Sequence, residues 1–398
     1  MSTVGPAQPL RHFGSPHCIV ARVCGAAYHA AMFRVAITNY LSPPAEIEQE
    51  ALRGVATVEC LGARSEADLD ERFEAADGLI VFHEITISGA SLERLKRCRV
   101  LVRCGVGFDN VDLAAAGRLG IYVCNVPDYG VDEVADHAIG LMIACARKIV
   151  YVDRRLRAAQ GPDFGARASS SLSGGQDARR PTASWGYLTV APVFRLAGAT
   201  LGIVGLGRIG TATALRAKAM RMNVIACDPY IPDGRDKALG VRMAGLDELL
   251  AESDVVSLHV PLTEETRRMI GREQIARMKK TAILINTSRG AVVDTDALAA
   301  ALTEGGIAGA GIDVLPHEPP PPDDRLVALW RADTDSPANL VITPHSAFYS
   351  EQGLVEMRSK AALEVRRVLE GGRPRNCVNG EYLAGRRGDE YAKRREGP

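Results

Sequence analysis

Apolar residues recur along this chain in short blocks separated by amphipathic stretches. From Phe33 to Gly130 the blocks FRVAIT, VECLG, GLIVF and VLVRC alternate with helical patterns near Glu46 to Arg53, Glu66 to Ala75 and Leu92 to Cys98. Such alternation predicts a parallel sheet with helices on its faces. A long apolar stretch follows at residues 131 to 156, VDEVADHAIGLMIACARKIVYVDRRL. Its apolar positions cover more than one helical face, so it lies deep in a core or is buried by a second subunit; a dimer contact is the expectation. Residues 161 to 184, rich in Gly, Ser and Arg without period, read as a loop or linker. Beyond it LGIVG, DVVSLHVPL, AILINTS, GAGIDVL and LVITPH are successive strand-like runs with helices between them. From Ser350 a helical pattern continues to Gly371, and residues 384 to 398 form a charged tail. No internal repeat is present.

The most informative run is LGIVGLGRIGTATALRAKAMRMNVIACD, Leu201 to Asp228. Leu201, Ile203 and Val204 have a buried-strand pattern. Gly205, Gly207 and Gly210 then allow a tight turn, close approach to a pyrophosphate and packing of the helix on the sheet. The helix begins near Arg208 and Ile209, where backbone N–H groups and the helix dipole favour an anion. Asp228 closes the next strand, where a carboxylate accepts from both ribose hydroxyls and repels a 2′-phosphate. A dinucleotide site selecting NAD over NADP is the prediction.

The rest of the composition narrows the class. A length of 398 residues suggests two or three domains, and 48 basic against 48 acidic residues leave no global field to recruit nucleic acid or an anionic membrane. Nine cysteines with no CxxC, and with Cys124, Cys145 and Cys227 inside apolar runs, read as reduced buried thiols and a cytoplasmic setting. No uncharged apolar stretch approaches the ~20 residues of a membrane helix. Residues 1 to 32 contain no acidic residue and no period, and are expected to be a poorly ordered extension ahead of a domain that starts near Met32.

Three later strand ends each offer one polar group: Arg289 in INTSRGAVVD, Glu318 in GIDVLPHEPP and His345 in ITPHSAFYS. Singly each has a bland explanation. Together they fit a ligand site, because open α/β sheets bind ligands beyond the carboxyl ends of their strands.

With RCGVGFDNVDL (103 to 113), HVPLTEET (259 to 266) and TPHSAFYSEQ (343 to 352), these motifs resemble the D-isomer-specific 2-hydroxyacid dehydrogenase family over roughly Phe33 to Leu383. YSEQGLVEMR and RRVLEGGRPRNCVN are similar to its C-terminal-binding protein branch, which joins this fold to transcriptional corepression. The resemblance implies an α/β fold of two doubly wound parallel-sheet domains, a Rossmann NAD-binding domain (131 to 344) inserted into a flavodoxin-like substrate domain (33 to 130 and 345 to 383). It makes His345 the acid and base for a 2-keto or 2-hydroxy acid, Glu318 the group that orients it, and Arg289 the binder of carboxylate and carbonyl. The backbone at Gly105, Val106 and Gly107 would close on the carboxylate. Asp313 would bond the nicotinamide carboxamide, Thr287 and Ser288 would flank the same ring, and His259 would begin the loop over the adenosine half. His83, His137 and His317 are not expected to be catalytic, and no metal is expected. Phe348 stands where corepressor members carry Trp; with Phe82 and Met357 it suggests an apolar substrate tail. A homodimer is expected. The alternative is an NAD-gated scaffold of the corepressor kind; chemistry like that of S-adenosylhomocysteine hydrolase is disfavoured because the substrate-side motifs do not match.

Overall fold

A computed structural model of the chain describes residues 32–158, 190–332 and 338–383. Apart from Met32, the N-terminal extension, the 161 to 184 loop and the charged tail lie outside these residues.

Five strands, β1 (Phe33–Ile37), β2 (Ala56–Cys60), β3 (Gly78–Val81), β4 (Val100–Arg103) and β5 (Tyr122–Asn125), form a sheet in the order β2-β1-β3-β4-β5. All its pairings are parallel. Seven more make a second parallel sheet: β6 (Thr200–Val204), β7 (Asn223–Cys227), β8 (Arg242–Met243), β9 (Val255–Leu258), β10 (Ile283–Asn286), β11 (Gly309–Ile312) and β12 (Leu340–Ile342). Its order is β12-β11-β10-β9-β6-β7-β8. The first order is flavodoxin-like and the second is that of a Rossmann sheet, so the two doubly wound sheets expected from the sequence are both present.

Strand chemistry explains the layers. β3, β9, β10 and β11 are buried at every position, as strands covered on both faces must be. Alternate residues enter opposite cores: Val35, Ile37, Ile80 and Val102 on one side of the first sheet, Ala36, Leu79, Val81 and Leu101 on the other. The second sheet divides likewise, with Val204, Val256 and Leu284 facing away from Ile203, Val255 and Ile285.

Two helices tie the sheets into one chain path. The helix Val131–Ala146 leaves the end of β5 and lays Ala138, Leu141, Met142 and Cys145 against Leu201, Ile203 and Ile285. The second sheet therefore covers one face of this helix within the chain, while Ile139 and Ile143 are half-buried and Ile149, just past its end, is 53% exposed. The stretch is also not one helix. Lys148, at φ +54°, turns the chain before a second helix, Ile149–Ala158. The helix Glu351–Leu369 carries the chain back to the first sheet. Its start is capped by Ser350, whose hydroxyl accepts from the Gly353 N–H at 2.8 Å and donates to Glu133 at 2.7 Å. Met357, Ala361, Val365 and Leu369 enter the core that holds Val35 and Ile80, each large side chain worth roughly 1.5–3 kcal/mol of burial. Gly78 makes the approach possible, since a Cβ there would come within 2.9 Å of Val365. Arg358 on this helix clasps the fully buried Glu48 through two 2.7 Å hydrogen bonds.

Several elements differ from the pattern reading. β5 and β8 had no place among the predicted blocks. The helix expected at 66 to 75 is a 3₁₀ turn, Glu66–Asp68, followed by a short helix, Glu71–Glu74. The side chains of Asp68 and Asp70 accept from the N–H groups of Arg64, Ser65 and Arg72, and these local bonds break the helix in two. The helix expected at 92 to 98 instead spans Gly89–Glu93, started by its Ser88 cap. No described helix is long and apolar enough to cross a membrane.

Candidate active site

The carboxyl ends of both sheets open onto a cleft of ≈ 400 Å³. Of the residues singled out from the sequence, Val106, Gly107, Gly207, Arg208, Ile209, His259, Thr287, Ser288, Arg289, Asp313, His345 and Phe348 line it, as do Phe82 and Met357. Gly105, Gly205, Gly210, Asp228 and Glu318 do not line it. His317 is exposed and outside the cleft.

The fingerprint glycines divide their work by contact. At Gly205 the backbone is left-handed (φ +93°), and a Cβ would fall 2.6 Å from the His259 carbonyl oxygen. A Cβ on Gly210 would fall 2.0 Å from the Gly205 oxygen, so the helix Arg208–Ala219 can seat on the turn only without one. A Cβ on Gly207 would meet nothing within 4 Å. That open face, beside the first N–H groups of the helix, is the space a pyrophosphate requires. Asp228 braces the turn: its carboxylate accepts the Leu206 N–H at 2.8 Å and the Tyr230 N–H at 2.9 Å. His259 is fixed by its N–H to the Val204 oxygen (2.7 Å) and by its ring to Ser257 (2.8 Å), and burial pushes its pKa down to about 4. The Thr287 hydroxyl oxygen is buried and lacks a partner among the described residues, an orphan that a carboxamide in the cleft would satisfy. The residues present thus fit NAD.

Arg289 is aimed from both sides. Asn286, at the end of β10, donates to the Arg289 carbonyl (3.0 Å) and accepts from the Ser288 N–H (3.0 Å) and hydroxyl (2.8 Å). Across the cleft the Asp109 carboxylate accepts from Arg289 Nε at 3.0 Å. Burial favours a raised Asp109 pKa, but the charge and hydrogen bond of Arg289 outweigh it and hold the carboxyl below its usual range. Beside Arg289 runs the turn after β4, where the N–H groups of Val106 and Gly107 donate to no group among the described residues. These are the donors expected to face a substrate carboxylate.

His345 and Glu318 form a dyad. Nδ1 of His345 lies 2.6 Å from Glu318 Oε2, while the other Glu318 oxygen accepts the Leu315 N–H at 2.8 Å. Burial pushes the Glu318 pKa up, yet the hydrogen bond and charge of His345 more than reverse this and leave it lowered. With Nδ1 engaged, Nε2 is the ring nitrogen left for chemistry. His345 itself is left-handed, φ +52°, a conformation that costs an L-residue roughly 1–2 kcal/mol. It is held there by Asp313, whose carbonyl accepts the His345 N–H (2.7 Å) and whose buried carboxylate accepts the N–H groups of Ser346 and Ala347 (3.0 Å each).

Several residues reach the site that the sequence reading missed. Arg103, at the end of β4, is buried, lines the cleft and lacks a partner at Nε; its Nη1 donates to the Cys104 carbonyl at 3.1 Å. Burial, then the nearby Arg289 charge, lowers its pKa to about 10. Gly105 (φ +146°) leaves room for it, because a Cβ there would fall 1.5 Å from Nη1. His83 sits 5.3 Å from His345, ring to ring, and is pushed down to about 4 by burial first and by the His345 and arginine charges next. Tyr40 stacks on Phe82 at 4.9 Å, and Phe348 meets His345 edge-on at 6.1 Å. The arginine in RCGVGFDN was a signal in view: a cation ending an otherwise apolar strand has to face a solvent-filled or ligand-filled space. No cluster of three His, Cys, Asp or Glu suited to a metal ion occurs among the described residues.

Comparison with known proteins agrees with this architecture. Residues 139–347 match the family model described as D-isomer specific 2-hydroxyacid dehydrogenase, NAD binding domain. The chain is 41% identical over 313 residues to a glyoxylate reductase of Korarchaeum cryptofilum, covering 79% of this chain and 86% of that protein. It is 36% identical over 349 residues to a D-3-phosphoglycerate dehydrogenase of Methanocaldococcus jannaschii, covering 87% of this chain but only 60% of that longer protein. The crystal structure of D-lactate dehydrogenase from Aquifex aeolicus, complexed with NAD and lactic acid, is similar with a TM-score of 0.69 and 29% identity, over 85% of this chain and 96% of that one. By sequence, fold and the placement of its motifs, the chain belongs to the D-isomer-specific 2-hydroxyacid dehydrogenase family.

Proposed function

We propose that this protein interconverts a small D-2-hydroxy acid and its 2-keto acid. The observation that carries the reading is the His345–Glu318 dyad at 2.6 Å, whose His345 lines the same cleft as Arg289 and the fingerprint turn. NAD, when bound, supplies or takes up the hydride. The remaining work falls to the chain's own residues. Arg289, braced by Asp109, binds the carboxylate and polarises the carbonyl oxygen; the free N–H groups at Val106 and Gly107 share the carboxylate. His345 gives a proton from Nε2 to the oxygen as it becomes an alkoxide, and takes one back in the oxidative direction. Glu318 fixes the ring through Nδ1. Asp313 keeps one of its roughly four acceptor positions for the carboxamide after three hydrogen bonds within the protein. Phe82, Phe348 and Met357 form the apolar wall for the substrate tail, and Arg103 adds a second cation to the carboxylate end. A pure scaffold would leave the dyad and both arginines without a task.

The test is turnover of a panel of 2-keto acids with NADH, from glyoxylate to branched and aromatic acids, with the handedness of every product except the achiral glycolate read by chiral chromatography. NADH oxidation that yields the D-2-hydroxy acid is expected. Absence of turnover across the panel, or an L product, would overturn the reading.

A further inference from the structure

Behind Asp313 lies a polar chain that the reaction as described does not use. His137 projects from the helix Val131–Ala146, whose neighbouring side chains Val134, Ala135 and Ala138 are buried and apolar. Its Nε2 lies 3.0 Å from the Thr343 hydroxyl, which in turn donates to Asp313 Oδ1 at 2.6 Å. From His137 to Asp313 directly the distance is 3.6 Å, too long for a good hydrogen bond, so Thr343 is the link.

The directions of these bonds follow from their chemistry. As a carboxylate Asp313 only accepts, and it already takes two backbone N–H groups, those of Ser346 and Ala347. Thr343 has one hydroxyl proton and gives it to Asp313. Its oxygen must then accept from His137, which fixes a proton on Nε2 of that imidazole. His137 so removes the freedom of the Thr343 hydroxyl to point elsewhere, and Thr343 removes the freedom of the Asp313 carboxylate to rotate. That carboxylate, together with the Asp313 carbonyl, clamps three consecutive N–H groups, His345, Ser346 and Ala347. The clamped turn is the one that places His345 at φ +52°.

We propose that His137 is a positioning residue for the reaction: acting through Thr343 and Asp313, it holds the left-handed turn that points His345 into the cleft. The chain crosses from a helix leaving the first sheet to the last strand of the second, so the turn is held by a part of the protein 206 residues distant in sequence. This inference rests on His345 being the acid–base group.

His137→Leu removes the donor and keeps an apolar side chain of similar bulk. Because small displacements of a reacting group carry large rate penalties, kcat is expected to fall about tenfold, with NADH affinity and KM for the 2-keto acid changed less than about twofold. Thr343→Val, nearly isosteric, is expected to lose the same factor. The double variant should be no slower than either single one, since both cut one path. His137→Gln, whose amide can donate in place of Nε2, should recover kcat to within about threefold of the wild type. A wild-type kcat in both His137→Leu and Thr343→Val, losses that multiply in the double variant, or failure of His137→Gln to recover what His137→Leu loses would overturn the proposal. His345→Gln is assayed beside them: a full rate there removes the acid–base reading, whereas a dead His345→Gln beside a fully active His137→Leu removes only the positioning role.

Discussion

Gly107 offers a way to move Arg289 without touching it. A methyl group at Gly107 would lie 1.4 Å from Arg289 Nη2, 2.5 Å from Cζ and 3.1 Å from Asp109 Oδ1. The backbone at this position is not left-handed, unlike that of Gly105, so alanine is acceptable to the main chain. What must yield is the far end of a flexible side chain. Gly107→Ala should therefore fold, but with the guanidinium displaced from both Asp109 and the carboxylate site. A hydrogen bond to a charged group is worth about 1.5–3 kcal/mol, which corresponds to roughly a 10- to 150-fold loss in kcat/KM for the 2-keto acid. The fingerprint turn is untouched, so NADH binding, read by fluorescence titration, should stay within about twofold. Steady-state NADH oxidation supplies the comparison. A folded Gly107→Ala protein with kcat/KM within about threefold of the wild type would refute the placement of Arg289 as the carboxylate binder.

Other consequences follow from the same geometry. Glu318→Gln keeps the shape beside His345 but loses the charge, and kcat should fall at least about tenfold at unchanged NADH affinity; an unchanged kcat would leave Glu318 without its orienting role. Asp228→Ala should lower kcat/KM for NADH more than for NADPH, moving their ratio by at least about tenfold, and equal losses would remove Asp228 as the source of selectivity. Acid should destabilise the protein in a defined window. His83 and His259 have folded pKa values of about 4 against an ordinary value near 6.5, so between these the unfolded chain binds protons that the folded chain does not. Stability is then independent of these groups above that range and falls as pH drops through it; the lowered carboxyls Asp109 and Glu318 act in the same direction once pH nears the ordinary carboxylate range. Urea midpoints should fall from about pH 7 to about pH 5, with a shallower slope in His83→Gln, and a flat profile would contradict the burial of both imidazoles as neutral rings.

What could be read from the sequence, and what could not, divides by the range of the interactions. The Gly205 to Asp228 run is legible because turn, helix start and strand end are neighbours in the chain, and each glycine answers a local steric demand. The expected polar ends Arg289 and His345 line the cleft because strand ends in a parallel sheet share one edge, whatever the details of packing. Asp109 was silent because its meaning comes only from Arg289, 180 residues on. Arg103 read as the end of a buried strand, and the sequence gives no sign that its guanidinium folds back under the glycine turn. The apolar stretch after Gly130 was read as a dimer contact, but periodicity reports that a face is covered and not by what; Leu201, Ile203 and Ile285 cover the face that carries Ala138, Leu141, Met142 and Cys145. The short elements around Asp68 and Asp70 escaped because side-chain capping overrode the apolar period.

The central claim, that His345 moves the proton while the cofactor moves the hydride, meets its most direct test in one stopped-flow experiment. Preformed enzyme–NADH complex is mixed with saturating 2-keto acid, and the single-turnover loss of NADH absorbance is compared between the wild type and His345→Gln. The dyad geometry predicts a drop of about 10²–10⁴-fold in that rate constant, with NADH affinity preserved. A rate constant within about threefold of the wild type would contradict it.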